Sequence, residues 1–354
     1  MLQRSCSIFV LLAFYFSGFS QSDSTTSGWP TITGSVDAYY RYNFANAKDA
    51  EGNPVTNNYT AFTNSQNSFE LGMASVRADH SFGKASATID LGFGRRAEEF
   101  SYADPEHTTL FAVKQAYLSY AISDNVKFTF GKWATHIGYE LTDAYLNRNY
   151  SMSYMFSDGP FSHTGLKADI GIGGKSAFMV GIANTTDVVS TTQARKHVLG
   201  QFSTGSSNDK VKAYLNYMGS YGGSYSITQF DLVVTAALSS TFGVGYDGTI
   251  NTVHPDTGSN NQFWGSALYL NFDPSSNFGI TLRGEYFDNE KLGTPYFPAS
   301  NVFAITLSPN FKIGNLTIIP ELRLDNASEE VFLDHDGEGS KSTFTGILAA
   351  TYHF

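Results

Sequence analysis

From Thr31 onward the sequence alternates apolar with polar residues, and about sixteen such period-2 runs of roughly ten residues can be laid end to end. The last run shows the pattern plainly: Phe344, Gly346, Leu348, Ala350, Tyr352 and Phe354 fall on one face, Thr343, Thr345, Thr351 and His353 on the other. Each run is predicted to be a β-strand, because successive side chains of a strand point to opposite faces. The connections follow a rule of their own. Short turns at 83–84, 123–125, 173–175, 205–209, 239–240, 273–277 and 314–315 alternate strictly with longer polar stretches at 45–66, 99–109, 136–160, 188–193, 221–224, 251–261, 289–300 and 327–340. An up-and-down antiparallel sheet rolled into a barrel, with both chain ends at one rim, has tight turns at that rim and long loops at the other.

Once the apolar residues fix the phase of each run, the charges fall on the opposite face. Asp37 and Arg41 oppose Val36, Ala38, Tyr40 and Tyr42, and Asp90 opposes Ile89 and Leu91. Lys167 and Asp169 oppose Leu166, Ala168 and Ile170, while Arg283 and Glu285 oppose Ile280, Leu282 and Tyr286. Glu321, Arg323 and Asp325 oppose Leu322 and Leu324, and Lys212, Asp231 and Asp247 obey the same parity. A Lys or Arg facing the middle of a bilayer costs about 2–4 kcal/mol, so this segregation fits an apolar face turned to lipid. Two runs resist. Arg77 shares parity with Leu71 and Met73, which requires a bulge near Ala74, and the run at 194–202 has a poor apolar face. Phe82, Phe242, Phe272, Phe278, Phe311 and Phe354 border short turns, while Tyr42, Phe93, Tyr246, Trp264, Tyr286 and Phe344 lie toward the long loops. Two aromatic girdles at the two membrane interfaces would give this arrangement.

Composition agrees with a membrane barrel and excludes other classes. Mean hydropathy is −0.19 and no apolar stretch is long enough for a membrane-crossing helix, but alternating strands average to such a value. Arg4, the apolar run at 8–16, and Gly18 and Ser20 form the pattern of a secretory signal peptide covering 1–20. The expected organisation is therefore a signal peptide at 1–20, a short segment at 21–30 and an outer-membrane β-barrel at 31–354, in a Gram-negative bacterium. The single cysteine, Cys6, precedes the apolar run, so an exported barrel would be held by its hydrogen bonds rather than by disulfides. The formal net charge of −10 argues against nucleic acid as a partner.

About sixteen strands enclose an aqueous channel unless something plugs it, and 21–30 is too short to be a plug. The inward residues Asp37, Arg41, Asp90, Lys167, Asp169, Arg283, Glu285, Glu321, Arg323 and Asp325 are therefore expected to line a pore. The connection at 136–160 carries Glu140, Asp143, Arg148, Tyr154 and Asp158 and is expected to fold into the lumen and narrow it. Charged rings at such a neck set charge preference.

No catalytic, cofactor or metal site is expected. Ser162 and His163 lack a third partner at a recognisable spacing, and the eight histidines show no paired ligand spacing. The stretch 334–339 imitates the start of a calcium loop, but Thr345 stands where the closing Glu belongs. An acidic loop is the expected reading, with divalent bridging to lipopolysaccharide phosphates as a further use.

The segments VDAYY at 36–40, Gly131-Lys132 with Gly138-Tyr139-Glu140, His163-Thr164-Gly165, ELRLD at 321–325 and the final Tyr352-His353-Phe354 occur in an order and spacing that resemble the OmpL-like β-barrel porin-2 family, over nearly the whole mature chain. The resemblance implies an outer-membrane porin: a water-filled channel for passive diffusion of small hydrophilic solutes, and no enzyme. The alternative class is the same barrel used as a surface receptor or adhesin platform without conduction. The partners that go with either are outer-membrane lipid and lipopolysaccharide, the barrel-insertion machinery recognising a last strand that ends in Phe354, and an oligomer of the same chain.

Overall fold

The computed structural model describes residues 28–104, 108–221 and 223–354; the expected signal peptide lies outside them. Sixteen antiparallel strands close into one barrel. In chain order they are β1 (Thr31–Asn43), β2 (Ser68–Phe82), β3 (Ala85–Phe93), β4 (Val113–Ser123), β5 (Val126–Ala134), β6 (Ser162–Gly173), β7 (Ser176–Ala183), β8 (His197–Gly205), β9 (Val211–Ser220), β10 (Tyr225–Ala237), β11 (Phe242–Pro255), β12 (Asn261–Ser275), β13 (Phe278–Lys291), β14 (Asn301–Ile313) and β15 (Leu316–Ala327). A small ribbon, β16 (Phe332–Leu333) with β17 (Gly339–Ser340), decorates the last long loop, and β18 (Ser342–His353) completes the wall.

Closure is made by β18 against β1, in register from Ser35↔His353 to Asn43↔Thr345. Phe354 seals the seam, since Gly34 and Phe354 exchange both backbone hydrogen bonds at 3.0 and 2.9 Å. A closed barrel leaves no strand edge with unpaired N–H and C=O groups, the condition for standing in hydrocarbon.

Side chains divide by parity as the alternation requires. On the outside, Phe69, Leu118, Phe130, Val180, Leu215, Leu282, Phe303, Leu322 and Leu348 are all exposed. Aromatic pairs mark both rims: Phe278 with Phe311 (5.1 Å) at the short-turn rim, Trp264 with Tyr286 (5.3 Å) and Phe44 with Phe344 (5.0 Å) toward the long loops.

The resisting run at 69–82 is resolved by a bulge, with its extra residue at Gly72 rather than at Ala74: Asp37 pairs with Met73, whereas Ala38 pairs with Leu71. Leu71 thus stays outside while Met73 turns in and is fully buried. Three boundaries differ from expectation. The eighth strand is shifted to His197–Gly205, where Val198 and Phe202 supply its outer face. The loop at 251–261 shrinks because β10 and β11 remain paired out to Tyr225↔Pro255. The second long connection widens and contains a helix, α1 (Arg95–Phe100), which period-2 reading had no means to find.

Candidate functional site

The connection between β5 and β6 runs inside the barrel, and its backbone tells why. A loop removed from bulk water must find acceptors for its N–H groups, and the inner wall supplies carboxylates. Gly138 N donates to Asp231 and Tyr139 N to Asp247, each at 3.1 Å. Tyr150 N and Ser151 N donate to the two oxygens of Glu321 at 2.7 and 3.0 Å, and Met155 N donates to Glu285 at 3.1 Å. An N–H withdrawn from water must be paired, so these five contacts fix the path of the segment.

Glu140 is the hub. It accepts from Arg283 Nη1 at 2.5 Å, from Tyr269 Oη at 3.2 Å, and from Ser153 N and Oγ at 2.7 and 2.9 Å, tying the entry of the segment to its exit and both to β12 and β13. Arg283 in turn donates to the carbonyls of Ser151 and Met152, and Arg323 donates to Met152 O at 2.6 Å while paired with Asp325 at 2.7 Å. Across the bore Tyr150 Oη donates to Asp37 at 2.5 Å, and Asp143 meets Lys114, itself 3.2 Å from Asp90. Toward the short turns Arg148 grips Asp273 with two bonds of 2.9 Å and Thr281 with one of 2.6 Å, and Tyr145 stacks on His353.

Glycines of the wall make room. A Cβ on Gly72 would sit 1.8 Å from Asp37 Oδ1 and 2.6 Å from Tyr150 Oη, so the bulge gives the Tyr150–Asp37 bond its space. A Cβ on Gly265 would sit 2.3 Å from Met155 Cγ. Beyond the wall's polar anchors the segment packs into apolar clusters: Tyr154 and Met155 against Phe263, Phe287, Phe297 and Phe332, and Tyr150 against Tyr39, Ile319, Ile347 and Ala349. A roof of Phe62, Phe100, Met152, Phe156 and Phe161 lies on the long-loop side, where Arg96 stands 5.0 Å from the rings of both Phe62 and Tyr150.

The residues expected to line water divide into two groups. Asp37, Arg41, Asp90, Arg283, Glu285, Glu321, Arg323 and Asp325 point inward but are buried, because the segment 136–160 and the first long loop cover them. Arg41, for instance, donates to Thr56 O and Ser65 O of that first loop. Lys167 and Asp169 keep contact with solvent, with side-chain exposures of 21 and 29 %. All five expected loop residues, Glu140, Asp143, Arg148, Tyr154 and Asp158, sit within the bore or its roof. Tyr154 lies beneath Arg323 at 5.0 Å, and Asp158 accepts from Thr294 Oγ1 at 2.5 Å. Burial pushes the Asp158 carboxyl up to about 7, and does the same to Asp187, which accepts from Phe161 N and Ser162 N in the next long loop. Burial also lowers His136 to about 4, so it is a neutral ring bonded to Tyr217 O.

Expectation did not single out Lys114, Lys127, Asp273 and Lys312. The same parity rule would have found Lys127, which alternates with Phe128 and Phe130, and Lys312, which alternates with Phe311 and Ile313. His163 bonds Thr135 Oγ1 at 3.2 Å, while Ser162 Oγ faces Asp187 at 3.4 Å. In the acidic loop Asp334 Oδ1 accepts from Asp336 N and Glu338 N, so its geometry is a self-closing turn.

A family model described as "Putative beta-barrel porin-2, OmpL-like" matches residues 30–354. Among solved structures the fold is similar to an anion-selective porin from Comamonas acidovorans (TM-score 0.62, 12 % identity, 92 % of this chain and 99 % of that one). It is similar also to OprB of Pseudomonas putida (0.62, 11 %, 92 and 94 %) and to the outer-membrane channel DcaP of Acinetobacter baumannii (0.59, 11 %, 92 and 97 %). None of the curated proteins matches the sequence.

Proposed function

The chain belongs to the OmpL-like β-barrel porin-2 family, and from that premise we propose that it passes small hydrophilic solutes by passive diffusion past the segment inserted in its bore. The observation that carries the reading is the uneven wetting of the inner wall. Charged groups on β2, β5 and β6 toward the short turns keep exposures of 21 to 40 %, whereas those in the middle of β1, β13 and β15 are buried under the segment 136–160. Solutes would then cross past the inserted segment rather than through a centred hole, and Glu140, Asp143, Arg148, Tyr154 and Asp158 would act by holding the constriction in place. Chemistry on the solute has no part in this reading. Export by residues 1–20, insertion through the strand ending at Phe354, and contacts of the exposed apolar band with lipid and of the acidic loops with lipopolysaccharide complete it. An oligomer is compatible with it.

A second reading has one observation in its favour: the middle of the bore is so well packed that the barrel could serve as a sealed platform for its surface loops. Planar-bilayer recording separates the two. Stepwise conductance is expected, larger on deletion of residues 147–157. A silent protein that is correctly folded and inserted would leave the platform.

A further inference from the structure

The chain carries a formal charge of −10, yet the part of the bore that keeps water is basic. In the short-turn half the inward charges form small groups, each with cations equal to or outnumbering carboxylates. Lys127 and Lys167 share Asp169, at 3.8 and 3.6 Å. Arg148 and Lys312 share Asp273, at 2.9 and 3.4 Å. Arg77 is matched by Asp79 at 2.7 Å. Lys212, inward on β9 opposite Thr235 and half-buried, has no carboxylate partner among the described residues. The excess is three positive charges, on side chains that are 16 to 40 % exposed where they are ion-paired.

The wall's other carboxylates cannot offset this field on equal terms. Glu321 accepts two backbone N–H groups of segment 136–160, Glu285, Asp231 and Asp247 accept one each, and all four are buried in the middle of the bore. The acids of the long loops, such as Glu51, Asp336 and Glu338, are exposed to open solvent, where salt screens them within about 10 Å at 0.1 M. Charges in a cleft with low-dielectric walls are screened less and focus their field on whatever passes.

We propose that the channel prefers anions, and that Lys127, Lys167 and Lys212 on the β5–β6–β9 wall set the preference. The ligand class is a small hydrophilic anion such as a carboxylate or inorganic phosphate. This inference rests on the conducting reading above.

The test is the zero-current potential of the full-length protein in planar bilayers under a tenfold KCl gradient with 0.1 M on the dilute side. K⁺ and Cl⁻ have similar mobilities, so the sign reports the pore. Chloride preference is expected. The triple variant Lys127→Gln, Lys167→Gln, Lys212→Gln removes the excess and should bring the potential close to zero while conductance steps persist. Asp169→Asn frees two of these lysines and should move the potential the other way, so the idea stays testable if the triple variant fails to insert. Steps with potassium preference, or with none, overturn anion selection and leave the porin reading standing. An unchanged potential in both variants overturns the assignment to these lysines. Absence of steps from inserted wild-type protein overturns both readings.

Discussion

The middle of the wall made by β12–β15 and the short-turn end of the wall made by β5–β9 obey the same alternation, yet one is filled and the other is partly exposed. On the first, Tyr269, Arg283, Glu285, Glu321 and Arg323 all receive the inserted segment, and the pairs Arg283–Glu140 and Arg323–Asp325 are 0 to 6 % exposed, with 16 to 22 % reached only around Asp273 at the short-turn end. On the second, Lys127, Lys167 and Asp169 form loose pairs at 3.6 and 3.8 Å with side chains 21 to 39 % exposed. An inward charge in a barrel is thus two different things. Where a loop's N–H groups reach it, a carboxylate is an anchor that holds structure; where none does, it contributes to the field a solute meets.

The largest break in that contrast should come from Arg283→Ala. It leaves Glu140 buried without its cation, and breaking a buried pair from one side costs about 3–5 kcal/mol. The segment should leave its seat while the barrel survives, seen as larger, noisier conductance and as trypsin cleavage after Arg148 in inserted protein.

The next effect is on pH. Asp158 and Asp187 are held near 7 by burial against an ordinary carboxyl value of 3.8. Below about pH 4 both are neutral whether the roof is packed or open, so they impose no penalty. Between about 4 and 7 the open form ionises while the packed form must keep its protons, and the packed form loses stability through that window. Above 7 the loss is complete and constant. Segment seating, measured by limited proteolysis, should therefore be firmer at pH 5 than at pH 8, and Asp158→Asn should flatten part of the dependence.

Gly72→Val sharpens the comparison at the bulge. The new side chain collides with Asp37 and Tyr150, and overpacking of this kind costs about 1–3 kcal/mol. The heat-modification temperature in detergent should fall. Tyr150→Phe removes one donor from buried Asp37, which keeps Arg96 at 3.9 Å, so a loss near 1 kcal/mol is expected by the same measurement. The smallest effect belongs to the wet side. Lys175→Ala breaks an exposed turn pair with Asp209 and should cost well under about 1 kcal/mol, with no change in the segment's proteolysis.

Most of the barrel was legible because strand parity is local. In β13, Arg283 and Glu285 are placed inside by Leu282 and Tyr286 beside them, and no distant residue needs to be known. The Gly72 bulge was legible as a necessity but not to the residue, since it is the clash with Asp37 and Tyr150 that selects the glycine. The inward apolar residues Ile319, Ile347 and Ala349 were not legible at all. They make sense only beneath Tyr150, which is far away in the chain.

The sequence by itself determined the number of crossings, which residues face out and in, and which rim carries the long loops. All of these follow from a two-residue period and from the cost of charge in hydrocarbon. Only the tertiary structure decided which inward charges meet water. That depends on where residues 136–160 come to rest, and this resting place is set by N–H groups and carboxylates that lie on different strands and meet only once the wall has closed.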